Sequence, residues 1–331
     1  MKAIVYNSLG NLGVTDIDMP ALAPNDVRVK TASCGLCHTD IDVLHGRYGN
    51  SSFPVVPGHE YSGIVEEVGE AVTTVSVGDR VVVDPNVSCG HCRACRRGLR
   101  NLCETLQAYG VTANGGFAEH SVVNSTNIVP IGDMPFNLAA LAEPLGCVLN
   151  GIGEVETQGA ANAVVVGAGP IGLLMALALK DAGIPDVSVV DINEDRLDFV
   201  KTLGLNPILS APDTLADLER SVDVVADATG VPAVVEGLFK LVANGGNVLF
   251  FGVCPPDSLI SISPFDIFRR QIRIAGAHSL NHNIPEALAV LRRSGDTMSK
   301  VISHELPLSD IASYLDGPHA GGSMKVQYKA F

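Results

Sequence analysis

The sequence has no excess of positive charge, no long hydrophobic run, no recognisable leader and no internal repeat. Each absence removes a class of function. Lys and Arg total 22 against 36 Asp and Glu, a formal charge of −14, so nucleic acid and anionic membrane would be repelled rather than bound. The longest apolar stretches, Val164–Val166 and Ile171–Leu179, are broken by Gly and Pro. They fall short of the roughly 18–20 residues that a membrane-spanning helix needs. The opening MKAIVYNSLG holds one Lys and no apolar core, so no signal peptide is expected and the expected address is the cytosol. Charged residues are only 18% of the chain and apolar ones 47%, which excludes intrinsic disorder and supports sizeable cores.

At 331 residues, and with roughly 150 residues per domain as the usual scale, about two domains are expected. Two textures alternate along the chain. From Met1 to near Pro130, short period-two runs such as Val27–Lys30 and Arg80–Val83 are separated by Gly, Pro and Asn. That pattern predicts an irregular antiparallel β domain. From about Gly146, apolar runs at Ala163–Val166, Val187–Val190, Val222–Ala226, Val248–Phe251 and Ile272–Ile274 read as buried strands. Helical stretches such as Leu173–Lys180, Arg196–Leu203 and Val234–Leu241 lie between most of them, predicting a doubly wound parallel sheet of α/β class. After about His278 the elements shorten again around Pro285 and Pro307. This tail is too short for a domain and is expected to pack back on the first one.

The run Val164–Val166 leads into Gly167-Ala168-Gly169-Pro170-Ile171-Gly172, an apolar strand entering G-x-G-x-x-G before a helix. Gly167 would permit the tight turn, Gly169 the approach of backbone to a pyrophosphate, and Gly172 close packing of helix on strand. The helix start, at Pro170 and Ile171, would present free N–H groups and partial positive charge to phosphates. The following strand ends at Asp191, where a carboxylate can accept bonds from the adenosine ribose and repel a 2′-phosphate. NAD is therefore expected over NADP, although Arg196 keeps NADP open.

Eight cysteines in a reducing compartment point to metal or catalytic chemistry rather than disulfides. Cys89, Cys92, Cys95 and Cys103 form C-x2-C-x2-C-x7-C, suited to a closed tetrahedral zinc site, with an iron–sulfur cluster as the rival. The cluster Arg93, Arg96, Arg97 and Arg100 reads as a solvated lobe or subunit contact in so acidic a chain. A second group is scattered: Cys37-His38-Thr39-Asp40, Gly58-His59-Glu60 and Glu143-Pro144. Singly, His59 could be an ordinary loop histidine and Glu143 a helix-start carboxylate. Cys34 and Cys37 are spaced as a redox pair but lack the βαβ context such a pair requires.

The ordered set C-H-T-D, G-H-E, four lobe cysteines and G-x-G-x-x-G with a later Asp resembles the zinc-containing medium-chain dehydrogenase/reductase family, along essentially the whole chain. The resemblance implies a GroES-like catalytic domain from residues 1–146 and 281–331, with a metal lobe near 86–105, and a Rossmann domain from 147–280. It implies two zincs per chain: a catalytic one on Cys37, His59, Glu60 and Glu143, and a structural one on the four lobe cysteines. Thr39 would accept the proton of a substrate hydroxyl, and Asp40 would orient its neighbours from behind the metal. The proton would pass on to Asp42, which stands where yeast-type alcohol dehydrogenases place a relay His, or to His45 or solvent. Cys147, four residues beyond Glu143, is an outside candidate for the third ligand, though a small core cysteine is the plainer reading. Backbone around Ala277 and His278 would run past the nicotinamide. A Glu-Pro at 143 resembles the sorbitol, threonine and polyol branch, so a small alcohol or polyol substrate and a homodimer or homotetramer are implied. Rivals are another zinc member of the family acting on a primary alcohol, threonine or a sugar phosphate, a zinc-free quinone-reductase-like relative, and a catalytically silent NAD-binding protein with a structural zinc.

Overall fold

The computed structural model describes residues 1–48, 52–317 and 322–331. The chain divides into two compact units, one of Met1–Pro144, Leu280–Gly295 and Ile302–Phe331, the other of Leu145–Ser279 with Asp296–Val301.

The first unit is built on a seven-stranded sheet. Its order is Ile302–Leu306, Lys325–Lys329, Asp26–Gly35, Glu60–Val68, Arg80–Val83 and Ile128–Pro130, with His120–Asn124 also paired to Asp26–Gly35. All pairings are antiparallel except the one between Ile302–Leu306 and Lys325–Lys329. Strand Asp26–Gly35 begins with the alternation expected from period two, Val27 and Val29 fully buried between more exposed neighbours. From Ala32 onward every residue is buried. There the strand is interior to the sheet, paired along both edges by Glu60–Val68 and the returning Lys325–Lys329.

The tail is more regular than the sequence suggested. Pro285 stands in the first turn of a 15-residue helix, Ile284–Met298, where its missing N–H has no intrahelical partner to lose. Ile284, Ala287, Leu288, Val290 and Leu291 bury one face of it, the i, i+3, i+4, i+7 spacing of a helix packed on a core. Pro307 immediately precedes the helix Leu308–Asp316.

The second unit is a six-stranded, wholly parallel sheet in the order Asn206–Leu209, Asp186–Asp191, Asn162–Val166, Val222–Asp227, Val242–Phe250 and Arg273–Gly276. Helices Pro170–Asp181, Glu194–Thr202 and Pro232–Leu241 connect its strands. The strand order turns back between Asn162–Val166 and Val222–Asp227, the point where open α/β sheets bind ligands at the carboxyl edge. Strand Asn206–Leu209 was missing from the sequence reading. It is an edge strand carrying Pro207, a residue that interior strands exclude and edges tolerate.

Candidate active site and metal centres

Cys37 lies two residues beyond the strand Asp26–Gly35, half-buried, and caps the short helix His38–Leu44. Asp40, fully buried, organises the surroundings. Its Oδ2 accepts from the Cys37 N–H at 2.9 Å and its Oδ1 from the Gly58 N–H at 3.1 Å, while Oδ1 stands 3.3 Å from His59 Nδ1. The His59 contact is close enough for charge pairing but off the line of a good hydrogen bond. Tyr6 donates its hydroxyl to the Asp40 carbonyl at 3.1 Å. Burial alone would lower the His59 pKa, but the charge of Asp40, with the polar contacts to Asp40 and Cys37, outweighs it and holds it well above the usual value.

Glu60 follows His59 in the chain and is 1% exposed. Lys325 Nζ lies 2.6 Å from both its carboxylate oxygens, donating to Oε1, and donates to the Leu36 carbonyl at 3.0 Å. Burial would discharge this lysine. The charges of Glu60, Cys37 and Glu143 reverse that effect and raise its pKa. A Cβ at Gly35 would stand 2.1 Å from Glu60 Oε2, so only glycine leaves room for this carboxylate.

The ligand atoms of Cys37, His59 and Glu60 lie within 4.8 Å of one another, close enough for a single ion. Glu60 Oε2 is 2.6 Å from the Lys325 ammonium without the geometry of a hydrogen bond, and it stands in a set of thiol, imidazole and carboxylate donors. That donor set suits zinc. Glu143 is buried in the first turn of the helix Ala142–Gly153. It is not part of this three-residue group among the described residues, nor is Cys147, one turn further along. Thr39 is half-buried on the first turn of His38–Leu44. Asp42 accepts from Arg47 Nε at 2.8 Å and lies 3.7 Å from His38 Nε2, and His45 is exposed at the helix end.

The four-cysteine lobe is equally compact. Its sulfurs lie within 4.8 Å of one another, with Cys89–Cys95 and Cys92–Cys103 both at 4.0 Å. A tetrahedron with zinc–sulfur bonds of about 2.3 Å has edges of about 3.8 Å, so the cage fits one ion and is too tight for a multi-iron cluster. Backbone N–H groups point at the sulfurs: Cys89 to Cys103 at 3.3 Å, Cys92 to Cys89 at 3.3 Å and Cys95 to Cys92 at 3.5 Å. The bond from Cys89, with others from Thr105, lowers the Cys103 thiol to about 6, whereas burial lifts Cys95 to about 11. Arg93, Arg96, Arg97 and Arg100 project from the lobe into solvent. Cys103→Ser is expected to release about one metal equivalent and lower Tm by several degrees. Elemental analysis with thermal denaturation checks this.

In the second unit the glycine-rich turn has the form a dinucleotide requires. Gly167 adopts φ 112°, and a Cβ at Gly172 would stand 1.8 Å from the Gly167 carbonyl oxygen. Gly169 caps the helix Pro170–Asp181 without a side-chain bond, and the space around it is open, leaving the first N–H groups free for an anion. Ile171 is half-buried beside it. Asp191 Oδ2 accepts from Ala168 N–H at 2.7 Å and Oδ1 from Asn193 N–H at 2.9 Å, with Arg196 Nη1 4.0 Å away. Ala277 continues the carboxyl end of Arg273–Gly276, its N–H on the Phe250 carbonyl at 3.3 Å, and His278 is exposed.

Sequence reasoning passed over Lys325, Gly35 and Arg47. Lys325 alternates with Val326, Gln327 and Tyr328 in a strand that carries no sign of which face its charge meets.

Comparison with known proteins agrees with this geometry. Residues 23–133 match the alcohol dehydrogenase GroES-like domain and residues 170–293 the zinc-binding dehydrogenase family. The chain is 52% identical over its full length, and over all of the relative, to D-altritol 5-dehydrogenase of Agrobacterium fabrum (strain C58). A structure described as a zinc-binding dehydrogenase from Sinorhizobium meliloti 1021, bound to NADP, superposes with TM-score 0.93 at 31% identity, covering 99% of both chains. An alcohol dehydrogenase from E. coli CFT073 complexed with NADH gives TM-score 0.91 at 28% identity, covering 100% of this chain and 99% of that one. Fold and site define a zinc-dependent, nicotinamide-linked oxidoreductase. The chain belongs to the zinc-containing medium-chain dehydrogenase/reductase family.

Proposed function

We propose that this enzyme oxidises a secondary hydroxyl of a polyol to the ketone with NAD, using Cys37, His59 and Glu60 to hold a catalytic zinc. The observation that carries the reading is the buried cluster of those three residues, braced by Asp40 and Lys325. The full-length likeness to D-altritol 5-dehydrogenase supports an open-chain sugar alcohol as substrate. When bound, zinc supplies Lewis acidity toward a hydroxyl and the nicotinamide supplies the hydride acceptor.

The chain's own residues do the rest. Asp40 sets the orientation of the His59 ring and, through its bonds to the Cys37 and Gly58 N–H groups, the spacing of the two loops that carry the ligands. Thr39 Oγ1 would accept the substrate proton along a hydrogen bond and pass its own proton on. Asp42 stands one turn on, so a proton leaving Thr39 has the Asp42 carboxylate, partnered by Arg47, or exposed His45 as its way to solvent. Glu143 contributes negative charge near Lys325 and would serve as a further ligand, directly or through water. The lobe cysteines Cys89, Cys92, Cys95 and Cys103 hold a second, structural zinc. Gly167, Gly169, Pro170, Ile171 and Gly172 receive the pyrophosphate, Asp191 and Arg196 the adenosine ribose, and Ala277 and His278 border the nicotinamide. Residues 1–146 and 281–331 form the catalytic domain and 147–280 the cofactor domain.

A cytoplasmic location is supported by the compact four-thiol cluster, which a reducing compartment preserves; among the described residues no helix is long and apolar enough to cross a membrane. A homodimer or homotetramer is supported by the exposed apolar side chains Val253, Leu259, Phe265 and Phe268, which fall close together in the chain.

Steady-state NADH formation over a panel of hexitols, pentitols, threonine and simple alcohols tests the reading. Highest kcat/KM on a polyol supports it. Highest kcat/KM on threonine or a primary alcohol, or NADH binding without any turnover, would refute it. Asp191→Ala is expected to lower the preference for NAD over NADP by about tenfold, the scale of one charge-assisted hydrogen bond plus a relieved repulsion. The ratio of kcat/KM values for the two cofactors reads this directly.

A further inference from the structure

The chain passes from one unit to the other between Ser279 and Leu280. This crossover is an unusual piece of backbone. Ser279 (φ 55°) and His282 (φ 60°) are both left-handed without being glycine. Such residues persist only where surrounding contacts over-determine them. On one side the contacts come from Asn150, whose Nδ2 donates to the Ser279 carbonyl at 2.9 Å. On the other side they come from the four-cysteine lobe, from Asp84 and Asn86 just before it, and from Asn283, whose Oδ1 accepts from the Asn281 N–H at 2.8 Å.

Asn281 makes a two-pronged bond to the lobe backbone: Nδ2 donates to the Gly98 carbonyl at 2.9 Å, and Oδ1 accepts from the Arg100 N–H at 3.0 Å. Arg100 Nη1 reaches His282 Nε2 at 3.4 Å, and His282 Nδ1 lies 3.2 Å from Asp84 Oδ2. A guanidinium only donates, so Nε2 accepts and Nδ1 carries the ring proton toward Asp84. Asn86 Nδ2 completes the set with a bond to the Leu280 carbonyl at 2.9 Å. Gly98 and Arg100 lie between Cys95 and Cys103, in a loop whose ends are ligands. Whatever the thiols hold therefore sets the shape of the surface that grips Asn281.

We infer that the four-cysteine lobe is a clamp on the crossover Leu280–Asn283, and that Asn281 is the positioning residue through which it tightens dinucleotide binding. The crossover continues directly from strand Arg273–Gly276, whose carboxyl end lies on the ligand-binding edge of the parallel sheet. Freeing Asn281 lets the chain from Ala277 onward fluctuate, and the dinucleotide must then order it on binding. This inference rests on the proposed placement of Ala277 and His278 beside the nicotinamide.

The test compares Asn281→Ala and Asn281→Asp with the wild-type holoenzyme, by amide hydrogen exchange, zinc content, NADH titration and steady-state kinetics. In Asn281→Ala, exchange across residues 277–283 should rise about tenfold, the scale of one or two lost hydrogen bonds, while the lobe keeps its zinc and its protection. NADH Kd and the KM for NAD should rise about three- to tenfold in step, with kcat at saturating NAD and the KM for alcohol unchanged. Asn281→Asp keeps the bond from Arg100 and should fall between. Unchanged exchange at 277–283, or equal loosening throughout the protein, would overturn the clamp. Wild-type protein that fails to bind NADH would instead refute the cofactor reading. Faster exchange with unaltered NADH affinity would overturn the link to binding.

Discussion

His59→Ala protein is expected to bind NADH within about threefold of wild type, because the glycine-rich turn belongs to the other unit and takes no contact from His59 in holding a pyrophosphate. Its turnover is expected to fall at least about a thousandfold. Three ligand atoms within 4.8 Å define the cluster, and removing the imidazole leaves a thiol and a carboxylate that no longer enclose an ion. A metal that stabilises transition-state charge by several kcal/mol accounts for that loss, since each 1.36 kcal/mol is tenfold in rate. Cys37→Ser, a smaller change, is expected to give the same separation of binding from turnover. Stopped-flow NADH binding with steady-state rates on one preparation measures both. Loss of NADH binding in a folded His59→Ala protein would contradict the division of labour between the units.

Lys325→Met is the second large effect. Lys325 is 4% exposed and Glu60 1%, and they stand 2.6 Å apart. Coulomb attraction at this depth offsets the cost of taking both charges out of water, so deleting one partner leaves the other charge stranded. Loss of about 3 kcal/mol in unfolding free energy is expected, at the lower end of what broken buried pairs cost. Adding Glu60→Gln to Lys325→Met should restore most of it, because the stranded charge is then gone too. Chemical denaturation of both single variants and the double variant gives the coupling energy. A loss under about 1 kcal/mol for Lys325→Met would mean that the pair behaves like an exposed one.

How far these features could be read in the sequence depended on how local their causes are. The glycine-rich turn was legible because each glycine answers a constraint set within a few residues: Gly167 needs its positive φ, and Gly172 has no room for a Cβ. The lobe was legible for the same reason, since its four thiols are brought together by short turns. Cys37 and His59 lie further apart, on different elements, and only the family resemblance joined them. Lys325 could not be found at all. It reaches Glu60 through pairing of Lys325–Lys329 with Asp26–Gly35, a contact between distant parts of the chain that strand periodicity does not encode. The edge strand at Pro207 and the helix begun at Pro285 escaped for a shared reason. Pro285 was read as a mark of short elements and the stretch around Pro207 was not read as a strand, yet a first helical turn and a sheet edge are the places that tolerate proline.

Two metals are expected to occupy two sites in each chain, and only one of them to serve the chemistry. Zinc and iron per chain, measured by elemental mass spectrometry on wild type and His59→Ala purified without added metal, test it most directly. About two zincs and no iron in wild type are predicted, falling to about one in His59→Ala with the lobe still folded. An unchanged zinc content in His59→Ala, or iron in the cysteine lobe, would contradict it.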